Sequence, residues 1–235
     1  MTATLPRPDK QTRGSDTVSA AAAPMSAATR VLLAAGAIAT PLFMITVVIQ
    51  QLTRDGVNAR TQPLSLLSLG ELGWIQITNF VLCGLLAFAS AFGIRRTLRG
   101  GPAGTWGPIL IGWYGLALVY GGVFLADPAF GFPVGGAPVG AVNPSDWSWH
   151  GTLHGLAAPM AGLTVVAAAF VFARRFRREG TRGLAITAWS CVAAYFVLSG
   201  IGLGSGDFRI VMVAGTVIWL LPTVVCGHLL TRARR

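Results

Sequence analysis

Charge is what this 235-residue chain has least of. Its 18 Lys+Arg and 8 Asp+Glu make up 11% of the sequence, against 53% hydrophobic residues. A soluble domain of this length needs a polar surface, and so few charged side chains cannot cover one. That excludes a soluble enzyme, a coiled coil and a disordered chain. Lysine is nearly missing: Lys10 is the only one, so the remaining basic residues are arginine, a bias expected of a high-GC bacterial genome. Cysteine is scarce, and Cys83, Cys191 and Cys226 form neither a CxxC pair nor a metal-binding spacing, so they read as buried packing residues. No P-loop, GxSxG, HExxH or dinucleotide-binding fingerprint occurs. The net charge of +10 sits in short clusters between apolar runs, which speaks against a nucleic-acid partner.

Long apolar runs are what the chain does have, and the mean hydropathy is +0.64. Six intervals carry no Asp, Glu, Lys or Arg: Val31–Thr53, Leu72–Ile94, Gly100–Ala126, Trp147–Ala173, Gly183–Gly206 and Ile210–Thr231. Each holds at least about the 20 residues that a helix needs to cross a hydrocarbon core. Backbone groups in lipid must satisfy one another, so these runs are expected to be helices. They lack the apolar/polar alternation of a transmembrane barrel. The expected fold is all-α, an integral membrane bundle of six transmembrane helices over about 31–53, 72–94, 104–126, 149–173, 183–206 and 210–231. A seventh uncharged stretch, Pro128–Ser145, holds four prolines and four glycines and reads as a loop.

Basic residues in short loops stay cytoplasmic. With the N-terminus inside, Arg54, Arg60 and Arg209 are the only basic residues on the outer side; the other 15 are inner. This places both termini in the cytoplasm of a cell-membrane protein. Residues 1–29 read as a disordered tail and 233–235 as a basic end, with Met1 and Met25 both readable as the start. Trp74, Trp106, Trp147 and Trp149 fall at span starts, as an interfacial belt would, while Trp189 and Trp219 are expected to pack between helices. Gly112, Gly115, Gly200, Gly202, Gly204 and Gly206 suit close helix contact, with a homodimer face as the alternative. The run Arg174-Arg175-Phe176-Arg177-Arg178 suits anionic lipid head groups.

Polar candidates gather on the outer side. His150 and His154 stand at i, i+4, which puts both rings on one helix face. Two histidines, one carboxylate and a water are a known catalytic zinc arrangement, and Asp127, expected to end the third span, could supply the carboxylate. His228 lies near the inner end of the last span and cannot join. An acidic residue at a membrane boundary is costly unless solvated or paired; Asp127-Pro128 also suits a turn. Ser65 and Ser68 lie in an uncharged segment that reads as a re-entrant piece or a short connector, with Ser65 as a donor to a bound group or as a turn residue.

The pattern Pro63-Leu64-Ser65, Ser68-Leu69-Gly70 and Gly73-Trp74-Ile75-Gln76, followed by Phe124-Leu125-Ala126-Asp127-Pro128 and His150…His154, resembles a bacterial family of six-pass membrane proteins of unknown function. That family is distantly similar to the Frag/DRAM/Sfk-like membrane proteins. The resemblance spans roughly Ala28–Arg232 and implies a six-helix fold and a role for Ser65, Asp127, His150 and His154, but no established reaction. A looser likeness is to the ceramidase and adipoQ-receptor membrane hydrolases, which combine Ser, Asp and three His; the opposite placement of His228 departs from it. The expected function is an outward-facing polar pocket for a lipid or small ligand. The alternatives are a metal-dependent hydrolase, with zinc on Asp127, His150 and His154, and a transporter, disfavoured because no charged residue lies inside a span.

Overall fold

The computed structural model describes residues 25–135 and 137–232. Among these residues the fold is all-helical, with one isolated bridge, Ala129 to Phe132, and no strand. The helices are α1 (Ala27–Thr53), α2 (Gly73–Thr97), α3 (Gly101–Val123), α4 (Trp149–Gly155), α5 (Ala157–Arg178), α6 (Arg182–Ser205) and α7 (Phe208–Arg232). Short 3-10 turns cover Leu64–Ser68 and Pro144–Asp146. With α4 and α5 counted as one span, six helical segments are long and apolar enough to cross a membrane. This is the build of a multi-pass membrane protein.

Several boundaries differ from expectation for local reasons. α1 starts at Ala27 because Ser26 caps it, its Oγ accepting the Thr29 N–H at 3.3 Å. Residues 27–29 of the expected tail are thus helical; residues 1–24 and the basic end, 233–235, lie outside the described residues. α3 runs from Gly101 to Val123 rather than over 104–126. Pro102 suits a first turn, where no N–H is needed. The residue before a proline is pushed out of helical geometry, so the chain leaves the helix before Asp127-Pro128. The fourth span breaks at Leu156, whose N–H bonds Leu153 three residues back. Pro159 explains the break, since its ring has no N–H and crowds the carbonyl of Gly155.

The long helices pack as a ring. α2 lies between α1 and α3, α5 follows α3, and α6 and α7 lead back to α1. Both ends of the described chain therefore lie on the arginine-rich face. The interior is made of small and polar residues as much as large ones. On α1 the buried positions include Gly36, Ala39, Thr40 and Gln50, while Ile38, Ile45, Ile49 and Leu52 are exposed. In lipid, apolar side chains gain nothing by turning inward, and close van der Waals fit decides the contact. Gly84 and Gly115 show this best. A Cβ on either would stand 2.6 Å from the other's carbonyl oxygen, so α2 and α3 touch backbone to backbone. Gly112 is not such a contact: its nearest neighbour to a Cβ is at 3.7 Å. Gly200 and Gly204 face open space, and on α6 only Gly202 packs, against Val211 of α7. Trp219 packs on Phe43 and Tyr114 as expected, but Trp189 is 39% exposed, its ring crossing that of Phe170 at 82°.

Candidate functional site

Away from the arginine-rich face, the links between helices form a cap tied by hydrogen bonds. Arg54, the residue after α1, donates to the carbonyl of Leu67, to that of Leu69 at 2.6 Å and to Gln50 Oε1 at 3.3 Å. Its guanidinium also lies 5.3 Å from the Phe132 ring centre. Partial burial pulls the Arg54 guanidinium below its usual pKa. One planar cation thus holds the Leu64–Ser68 turn against the Pro128–Ser145 loop, a fork geometry that only arginine offers. Gln62 adds a second tie, donating to the carbonyls of Phe130 at 3.0 Å and Gly56 at 3.3 Å.

Asp127 and α4 form one unit. Asp127 Oδ2 accepts the Ser148 N–H at 2.8 Å, and Oδ1 accepts the Ser148 hydroxyl at 2.6 Å. Ser148 is the N-cap of α4, its Oγ accepting from the Gly151 N–H at 3.0 Å. Asp127 therefore fastens the start of α4, and Gly151 is where it comes closest. A Cβ there would overlap the carboxylate, with Cγ at 2.6 Å. Asp127 itself lies in the turn after α3 instead of ending the helix.

The two histidines of α4 do different things. His154 Nδ1 lies 2.6 Å from the carbonyl oxygen of Phe124, the residue that closes α3. A carbonyl only accepts, so Nδ1 carries the proton and Nε2 is the acceptor in the neutral ring. His150 is exposed; its ring centre is 3.6 Å from that of Trp149 and 6.0 Å from that of Phe124.

A cavity of about 290 Å³ is lined by Ser65, Leu66, Asp127, Phe130, Trp147 and His154, among others. Ser65, Asp127 and His154 come to it from three distant parts of the chain, and His150 does not line it. Ser65 sits within the turn that Arg54 holds, and its hydroxyl has no hydrogen bond to the described residues. The expected Asp127, His150 and His154 metal set does not form: among the described residues no three His, Cys, Asp or Glu are grouped so that they could hold a metal ion. His228 stands beside Phe176 near the arginine-rich end, as its position in the last span required.

Sequence reasoning missed a buried amide cluster. Gln76 is 0% exposed, and its Oε1 accepts from Gln50 Nε2 at 2.8 Å and Asn79 Nδ2 at 3.3 Å. Asn79 Nδ2 also donates to the Phe43 carbonyl at 3.1 Å, and Arg54 donates to Gln50 Oε1. Both neighbours are thereby fixed as donors toward Gln76, whose own Nε2 is left without a partner. The signal was present as two amides, three residues apart, inside an uncharged run. The link between α6 and α7, away from the arginine-rich face, is tied separately: Asp207 takes a two-point contact from Arg209 at 3.0 and 2.7 Å, with Arg60 at 3.8 Å. The Arg209 hydrogen bond holds the Asp207 carboxyl below its usual pKa.

A family model described as "Protein of unknown function (DUF998)" matches residues 37–228. No curated protein and no solved structure matches the chain.

Proposed function

The chain belongs to the DUF998 family, and from its own geometry we propose that it is a membrane binding protein whose loop-face cavity takes a lipid or small ligand with an apolar body and an uncharged polar group. The observation that carries this reading is the meeting of Ser65, Asp127 and His154 around one cavity of about 290 Å³. Ser65 offers a hydroxyl, and with Nδ1 given to the Phe124 carbonyl the free polar atom of the His154 ring is Nε2. Leu66, Phe130 and Trp147 supply apolar wall. The Asp127 carboxylate, held by Ser148, lines the same cavity and selects against an anionic ligand. In our reading the cavity faces outward from a bacterial cell membrane with both termini in the cytoplasm. The arginine count of the alternating links and the rarity of lysine support it.

The test is a thermal-shift titration of the full chain in detergent with monoacylglycerol and diacylglycerol as neutral probes. Stabilisation that saturates in the native chain and weakens at least about tenfold in Ser65→Leu, with the unliganded melting point unchanged, is the expected result. No saturable shift, or equal shifts in both proteins, would overturn the reading.

A further inference from the structure

The arginine-rich face carries a second, larger cavity, of about 590 Å³, between the start of α3 and the end of α5. One wall is Gly101, Pro102 and Ala103; the other includes Phe170, Val171, Arg174, Arg175 and Arg178. Positions 171, 174, 175 and 178 share one helix face by their spacing. Glu179 also lines the cavity but is already occupied, with one carboxylate oxygen 2.6 Å from Arg175 and the other 2.6 Å from Arg232. Arg174 and Arg178 have no carboxylate within 4.0 Å among the described residues. The cavity therefore keeps an uncompensated positive charge. Across from it, the first turn of α3 has no side-chain cap, and free N–H groups at a helix start favour an anion.

The apolar end decides what kind of anion. Phe170 lies one turn from Arg174 toward the middle of α5 and is 41% exposed, its ring crossing that of Trp189 at 82° with ring centres 4.6 Å apart. Trp106, 57% exposed near the start of α3, stands where an interfacial tryptophan marks head-group level. The cavity thus runs from guanidinium groups at the membrane boundary to an aromatic surface in the hydrocarbon region. We propose that it is a binding site for an anionic phospholipid, whose phosphate lies between Arg174, Arg178 and the start of α3 and whose acyl chain follows Phe170. A free phosphate would use the charged end alone and leave the apolar floor unpaired. This site is independent of the loop-face cavity and has the opposite charge preference.

The experiment titrates the full chain in detergent with short-chain phosphatidylglycerol, phosphatidylcholine and inorganic phosphate, reading thermal stabilisation. Phosphatidylglycerol should bind, and Arg174→Gln with Arg178→Gln should weaken it on the order of thirtyfold, as expected for two charges near a membrane surface. Arg96→Gln with Arg177→Gln makes the same charge change on the same face outside the cavity and should weaken binding less than about twofold. Val171→Trp, which fills the cavity without touching its charge, should weaken phosphatidylglycerol as well. Equal losses in both double variants would mean diffuse surface attraction and overturn the site. So would phosphatidylcholine binding as tightly as phosphatidylglycerol, inorganic phosphate matching the lipid, or full binding by Val171→Trp.

Discussion

Gly151→Ala isolates the tie between Asp127 and α4 and reverses sign with background. Gly151 has no positive φ, so alanine fits its backbone. Inside a helix the change alone stabilises by at most ~1 kcal/mol. Its Cβ, however, takes the place of the Asp127 carboxylate. Asp127 must swing away and give up both bonds to Ser148, at 2.8 and 2.6 Å. Hydrogen bonds to a charged group contribute roughly 1.5–3 kcal/mol each, and solvent access at this site lowers the pair to about 2–3 kcal/mol. The net effect in the native background is a loss of about 1–2 kcal/mol. In an Asp127→Ala background the clash is gone, and Gly151→Ala should stabilise by up to ~1 kcal/mol. Thermal unfolding followed by a thiol-reactive dye in a Cys191→Ser background reads this directly, because Cys191 is partly exposed whereas Cys83 and Cys226 are 0% exposed and react only when the helices part. A change of this size moves the midpoint roughly 2–4 °C per kcal/mol. Equal effects in the two backgrounds, or stabilisation in the native one, would refute the claim that Asp127 fastens α4.

Three further outcomes follow from the same geometry. Gly115→Ala should destabilise by about 1–3 kcal/mol, because its Cβ meets the Phe88 nitrogen at 2.5 Å and the Gly84 oxygen at 2.6 Å, whereas Gly112→Ala should be tolerated; the same dye assay compares them. Arg54→Lys should speed amide hydrogen exchange over residues 64–70 and leave the core of α2 protected, since a single ammonium cannot hold two carbonyls and an amide together. The Asp207 carboxyl is held below its usual value by Arg209, so its stabilisation is present at neutral pH and is lost as pH falls below about 4. Melting curves from pH 7 to pH 3 should show that loss in the native chain and a smaller one in Asp207→Asn.

Where the chain could be read, it was read through counting. Uncharged runs of about 20 residues mark the spans because lipid forbids both buried charge and unpaired backbone, and both conditions are local to each segment. Ends were less legible: Pro159 splits the fourth span and Pro128 shortens the third, effects set by a few atoms rather than by mean hydropathy. For the candidate site, residue type picked out Ser65, Asp127, His150 and His154, of which all but His150 line one cavity, since i, i+4 spacing states which rings share a face and not what each ring meets. Phe124 takes one imidazole, the Trp149 ring lies against the other, and Ser148 bonds both oxygens of the carboxylate. The amide cluster of Gln50, Gln76 and Asn79 escaped notice because amides cost too little hydropathy to interrupt a run.

The amino-acid sequence by itself determined that this chain is helical and carries six segments long and apolar enough to cross a membrane, because those properties depend on solvent and on short-range backbone bonding. Only the tertiary structure decided which glycines touch, which arginines line a cavity and which histidine joins Ser65 and Asp127, because each of these rests on contacts between segments tens of residues apart that no local pattern encodes.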